Sequence, residues 1–217
     1  MKQFPKTPRN KVKRVPDRGH YDRETIYEIL DAGFLCHLGF VVERQPFVIP
    51  SAYGRQGDKV FLHGATKSRM LLNLKEGIPV CLTVTHLDGL VLARSAFHHS
   101  MNYRSAVLFG TAREVADSEK ENALFVISEN ILKGRWEEVR KPNAKELKGT
   151  SVLCLSIEEA SAKIRTGAPV DEKEDCELAV WAGVAPVQPV WGEPLPDPSS
   201  PSTILLPSSV KKLLNKS

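Results

Sequence analysis

The tetrapeptide Thr66-Lys67-Ser68-Arg69 places two hydroxyls, an ammonium and a guanidinium where the pattern predicts the start of a helix. Unpaired backbone N–H groups at such a start attract phosphate, and neighbouring cations strengthen the attraction. His63 and Gly64 stand just before it, at the predicted end of a strand entering a turn. Glycine there permits close approach of a planar ligand, and histidine adds a titratable ring. Read alone, each feature has a plain alternative: Thr66 or Ser68 caps the helix, Lys67 and Arg69 are solvated, and His63 is a satisfied strand-end residue. Cys36, Cys81, Cys154 and Cys176 lie far apart with no CxxC pair. Free thiols in a reducing, cytoplasmic compartment are expected, and no Cys or His spacing supplies a zinc site.

The elements that must position these residues follow from periodicity. Asp22 reads as an N-cap, with Ile26, Ile29 and Leu30 at helical spacing until Gly33 ends the pattern. From Phe34 the pattern changes to strand-like runs: FLCHLGFVV, PFVIPSAY, KVFLHGA, IPVCLTVTHL, LVLAR and YRSAVLFGTAREV. GRQGD at 54–58 and Asp-Gly at 88–89 read as turns, which predicts an antiparallel meander. Thr66 to Glu76 reads as one helix stopped by Gly77, and Ser118 opens a second, SEKENALFVISENIL. SVLCLSI at 151–157 returns to strand. Six or seven strands with few helices predict a mainly β chain with helices (α+β) built on a small barrel.

With 41% hydrophobic and 26% charged residues, the 217-residue chain has the make-up of a globular protein of one main domain. No apolar run is long enough to span a membrane, so no membrane role is expected. The net charge of +4 is concentrated at the N-terminus, where Lys2, Lys6, Arg9, Lys11, Lys13, Arg14 and Arg18 face only Asp17. That distribution argues against specific nucleic-acid recognition. It suggests an arm over residues 1–20, rich in proline and too poor in apolar residues to pack. The domain proper then spans 21–190, and 191–217 reads as a Pro/Ser-rich tail.

Taken in order, PFVIPSAYGRQGDKVFLHGATKSRMLLNL, IPVCLTVT and NYRSAVLFGTAREVAD followed by a helix resemble the pyridoxamine 5′-phosphate oxidase-like FMN-binding split-barrel proteins, in the branch of the nitroimidazole-reductase-like proteins. The resemblance covers roughly residues 15 to 190. It implies a six-stranded antiparallel split barrel with flanking helices, and a homodimer holding FMN in a groove lined by both subunits. Carried over by position, Val48, Ile49, Pro50 and Ser51 border the isoalloxazine ring, and His63 and Gly64 lie beside the ring and ribityl chain. Ser68 and Arg69 match the phosphate-binding pair. Met70 replaces the following Lys of the oxidase pattern, which leaves Lys67 as the second cation. Arg104 and Ser105 match a flavin-contacting pair on the later strand, and Trp181 matches a tryptophan that closes over the flavin.

The resemblance makes the expected activity transfer of a hydride or electrons between FMN and a small-molecule substrate. His63 would be a proton donor or substrate anchor, and Arg104 a stabiliser of reduced flavin. Vitamin B6 oxidation is not implied, because WAGVAPVQPVWGEPLPDP lacks the arginines that grip its phosphate. Two alternatives remain open: a barrel that holds haem, and a non-catalytic flavin-binding module.

Overall fold

The Asp22 side chain accepts the Thr25 N–H at 2.8 Å and opens the first helix, α1 (Arg23–Asp31), at the residue the sequence predicts. The structure, a computed structural model, describes residues 2–75, 77–201 and 203–214, with Arg69 described by its backbone alone. Nine strands follow one another as β1 (Gly19–His20), β2 (Leu35–Val42), β3 (Gln45–Gln56), β4 (Lys59–Ala65), β5 (Pro79–Leu92), β6 (Ser100–Glu114), β7 (Thr150–Ser156), β8 (Glu159–Arg165) and β9 (Gly183–Pro186). The helices between them are α2 (Arg69–Leu74), α3 (Asp117–Ile131) and α4 (Ala144–Gly149), with α5 (Ser208–Leu214) at the C-terminal end.

Six strands close a ring in the order β6-β7-β4-β3-β2-β5 and back to β6, every pairing antiparallel. This is the split-barrel arrangement expected. Alternation drives it: Cys36, Leu38 and Phe40 of β2, Val80, Leu82 and Val84 of β5, and Ala106 and Leu108 of β6 all bury themselves in one interior. β6 belongs to two sheets, pairing β8 over Tyr103–Phe109 and then β7 over Ala112–Glu114. At the crossing, a Cβ built on Gly110 would fall within 3.0 Å of the Ser156 carbonyl oxygen, so the strands can meet only at a glycine. α3 covers the ring from outside, its backbone so close to Gly54 that a Cβ there would lie 2.6 Å from the Val126 oxygen.

Asp88-Gly89 is not a turn. β5 runs through it with a bulge between Leu87 and Gly89, so IPVCLTVTHL and LVLAR form one strand. Asp88 is the extra residue of that bulge and is held by the Arg104 guanidinium on the neighbouring strand, while Gly89 keeps its register with Asn102 and Pro186. The second helix is also shorter than its apolar pattern, because Ala65–Ser68 is spent on a turn in which the Ser68 N–H donates to the Ala65 oxygen.

Both ends depart from the expected solvated tails. Phe4 is 3% exposed and belongs to the main core, with the Arg23 guanidinium 4.1 Å above its ring. Asn10 is buried as well, its amide donating to the oxygens of Pro5 and Ala160. A single aromatic ring and one satisfied amide supply the anchoring that average composition hides. At the other end Ser209 is buried, and its N–H and hydroxyl both donate to Glu138. Residues 215–217 lie outside the described residues.

Candidate functional site

The β3–β4 ladder stops at Tyr53 and Leu62. Beyond that pair β3 turns to β2, with Ile49 opposite Leu38 and Ser51 opposite Cys36, while β4 stays with β7, with His63 opposite Val152. The two strands therefore diverge and leave a split. β3 from 45 to 52 bounds it with an edge that has no neighbouring strand among the described residues, and β4 bounds it with His63, Gly64 and Ala65. Val48 and Pro50 are exposed on the outer face, whereas Ile49 packs against the core.

His63 shares the outer face of β4 with Phe61, which packs against Ala123, Val126 and Ile127. It is half-buried, and its Nδ1 is buried without a hydrogen-bond partner among the described residues. Burial lowers its pKa, so at neutral pH the ring is uncharged. By contrast, a ring nitrogen of His86 meets the Ile29 oxygen at 2.9 Å and one of His99 meets the Ala93 oxygen at 3.2 Å. An orphaned buried nitrogen at an open split is a group that a ligand can satisfy.

The depressed value also has a thermodynamic sign. The unfolded chain binds a proton below the ordinary histidine pKa while the folded chain does not, so stability falls as pH drops through that window. His63→Gln is expected to show a smaller loss of melting temperature between pH 7 and pH 5 than the wild type. Equal losses in thermal melts would show that His63 carries none of this dependence.

At the far end of β4, Ser68 occupies the N-cap position of α2 without capping it through its side chain. Ser68 thus leaves the first N–H groups of that helix without a side-chain cap of its own. Lys67 is exposed beside it, and the Arg69 side chain lies outside the described residues.

Arg104 and Ser105 are elsewhere in the chain, since β2 and β5 separate β6 from β3. Neighbours on one strand face opposite ways, and here Ser105 points out while Arg104 follows the phase of Ala106 and Leu108. The guanidinium grips Asp88 through Nε at 3.0 Å and Nη2 at 2.9 Å, and that hydrogen-bonded pairing raises its pKa. Trp181 is 67% exposed just before β9, which pairs with the end of β5. Val180, Val187, Val190, Trp191 and Leu195 of the same extended segment are exposed too. The described chain thus brings Val48–Ser51 and His63–Ser68 to one split and leaves Arg104, Ser105 and Trp181 away from it.

Of the cysteines, Cys36 is buried and its thiol is pushed up to about 12 by desolvation, while burial also raises Cys81 and Cys154. None of these three is a thiolate at neutral pH. No described helix is long and apolar enough to cross a membrane.

A family model described as pyridoxamine 5′-phosphate oxidase matches residues 22–164. Among solved structures, the flavocytochrome Anf3 from Azotobacter vinelandii is 39% identical, with a TM-score of 0.89 over 95% of this chain and 97% of that one. The FAD and heme binding protein from Mycobacterium smegmatis is 38% identical, with a TM-score of 0.87 over 90% and 97%. A putative 5-nitroimidazole antibiotic resistance protein from Bacteroides thetaiotaomicron shares the fold at 22% identity, with a TM-score of 0.56 over 67% and 86%. No curated protein matches. Ring topology, family match and near full-length similarity agree: the chain belongs to the pyridoxamine 5′-phosphate oxidase family.

Proposed function

We propose that this protein is a flavin-binding redox protein that acts on a small molecule, works as a homodimer and also takes up haem. The observation that carries the reading is the β3–β4 split, where the two strands diverge beyond Tyr53 and Leu62 and the neutral His63 imidazole keeps a buried Nδ1 that has no hydrogen-bond partner among the described residues. The donor set fits a flavin. Backbone groups of Val48–Ser51 would meet the ring edge, and Ser68 with Lys67 and Arg69 would hold a phosphate. The Cβ that Gly64 lacks would meet Leu71 Cδ1 of the core at 2.9 Å, so that glycine serves packing and not the approach of a ligand. A bound flavin supplies hydride or single-electron transfer. The chain's part would be to orient the ring and keep water from one face.

The second cofactor is favoured by the two neighbours at 38 and 39% identity, one a flavocytochrome and one named for binding both FAD and heme. FAD is accordingly as fitting a flavin for this chain as FMN. His63 fits an iron ligand because a neutral imidazole presents a lone pair.

The exposed apolar side chains between Leu178 and Leu205 support a dimer, since monomeric chains rarely leave so much apolar surface uncovered. A second subunit is what would bring Ser105 and Trp181 to the split.

Purified protein is expected to show a flavin band in the blue together with an intense Soret band, and to sediment at twice the chain mass. His63→Ala is expected to lose the Soret band and keep the flavin. A protein that is colourless and takes up neither FMN nor FAD on titration would overturn the proposal. A Soret band unchanged in His63→Ala would remove His63 as the iron ligand.

A further inference from the structure

The N-terminal segment lies across the outer face of β6 and β8 and borders an open cavity of about 300 Å³. Residues 9–14 form one wall; Ser105, Val107, Phe109, Ser161 and Lys163 form the other. Five cations border this space: Arg9, Lys11, Lys13, Arg14 and Lys163. Only Arg9 is neutralised, its Nη2 lying 2.6 Å from Glu159, and among the described residues the other four form no ion pair.

The positive surface continues beyond the cavity. Arg165 shares the strand face of Lys163 and is 6% exposed, yet the partner of its guanidinium is the neutral Asn102 oxygen at 2.5 Å. Burial and the nearby charge of Arg18 both depress its pKa, as expected where positive charge is in excess. Like charges gathered around a concave site without acids to balance them raise the local concentration of anions.

We propose that this cavity binds the diphosphate of a nucleotide. Four uncompensated cations suit a group with more than one negative charge, and the Ser161 hydroxyl supplies a further hydrogen bond, while that of Ser105 already donates to the Lys163 oxygen. Val107 gives the cavity an apolar wall, and the Arg9 guanidinium, 4.9 Å from the Phe109 ring centroid, covers that ring with a planar cation. The cavity's volume is at the low end for small-molecule sites, which fits a nucleotide and not a polymer.

The assignment rests on the redox reading in one respect. The nucleotide is the adenosine half of a nicotinamide dinucleotide that delivers electrons to the flavin, whose own phosphate is assigned to the turn after β4.

Isothermal titration of the full-length protein with ADP, inorganic pyrophosphate and adenosine tests the site. ADP is expected to bind in a salt-dependent manner, pyrophosphate more weakly, and adenosine not at all. Lys163→Glu is expected to weaken ADP at least about tenfold. Lys13→Glu, in the exposed wall, is expected to do the same and serves if Lys163→Glu fails to fold. ADP binding that disappears in FAD-loaded protein but persists in FMN-loaded protein would assign the site to the flavin's own adenosine half and overturn the assignment to a nicotinamide dinucleotide. Binding that persists in both assigns it to a nicotinamide dinucleotide. No heat with ADP, or an affinity unchanged in both variants, overturns the proposal. ADP binding by a protein that takes up no flavin would overturn the redox reading alone.

Discussion

Gly110→Ala is expected to destabilise the protein by about 3 kcal/mol or more, and to lower its melting temperature by roughly 6–12 °C. The added methyl would lie within 3.0 Å of both the Ser156 carbonyl oxygen and Leu155 Cδ1. A side-chain tip could rotate away, but the carbonyl belongs to β7, which is fixed by its pairing with β4 along Thr150–Ser156. Relief therefore requires the two sheets to separate where β6 passes from one to the other. Gly39→Ala serves as the control. It is also a strand glycine, but the nearest atom to its added Cβ is 3.4 Å away, which is ordinary contact. Urea titration of both variants checks the contrast, and equal stabilities would mean that the crossing tolerates a side chain.

Phe4→Ala is expected to cost about 3–5 kcal/mol, a value typical of a large aromatic removed from a core. The ring is 3% exposed, packs edge-on against Tyr27 with centroids 6.3 Å apart, and lies under the Arg23 guanidinium. The Phe4 N–H donates to the Tyr21 oxygen at 2.9 Å, so the backbone is tied down beside the ring. Truncation of the first 15 residues should be at least as costly, because it also removes Asn10 and its buried hydrogen bond to the Ala160 oxygen. A melting temperature unchanged by either alteration would return the segment to the status of a solvated tail.

These two sites show what the chain made legible and what it hid. Alternation in β2, β5 and β6 and the Asp22 cap are local patterns, and they foretold the ring and the first helix. Composition misread residues 1–20, because seven cations and three prolines outweigh one phenylalanine in any average. In the structure that one residue anchors the segment. Asp88-Gly89 carries the chemistry of a turn, but the partner that keeps it extended, Arg104, lies 16 positions away. The short strand β8, EASAKIR, is weakly apolar and owes its place to β6, so no local signal announced it.

For the candidate site, His63, Gly64 and Ser68 could be found in the sequence because they follow one another along a strand and a turn. The opposite facing of Arg104 and Ser105 was equally implicit in strand geometry. The capture of Arg104 by Asp88 depended on pairing across the sheet. The buried nitrogen of His63 could not be inferred from the chain, since burial of a single atom depends on what α3 and β7 place around it.

The seam between β4 and β7 joins residues 59–65 to 150–156, whereas β2 with β3 and β5 with β6 join near neighbours in the chain. Loop-closure entropy grows with separation, so the ring's slowest and entropically costliest stitch is this one. His63 sits on it, opposite Val152. The cleft thus takes its shape when the long-range stitch is made, and a molecule bound only by the closed ring draws that stitch tight by mass action. Assembly of the chain and occupancy of its cleft are in this way a single coupled equilibrium.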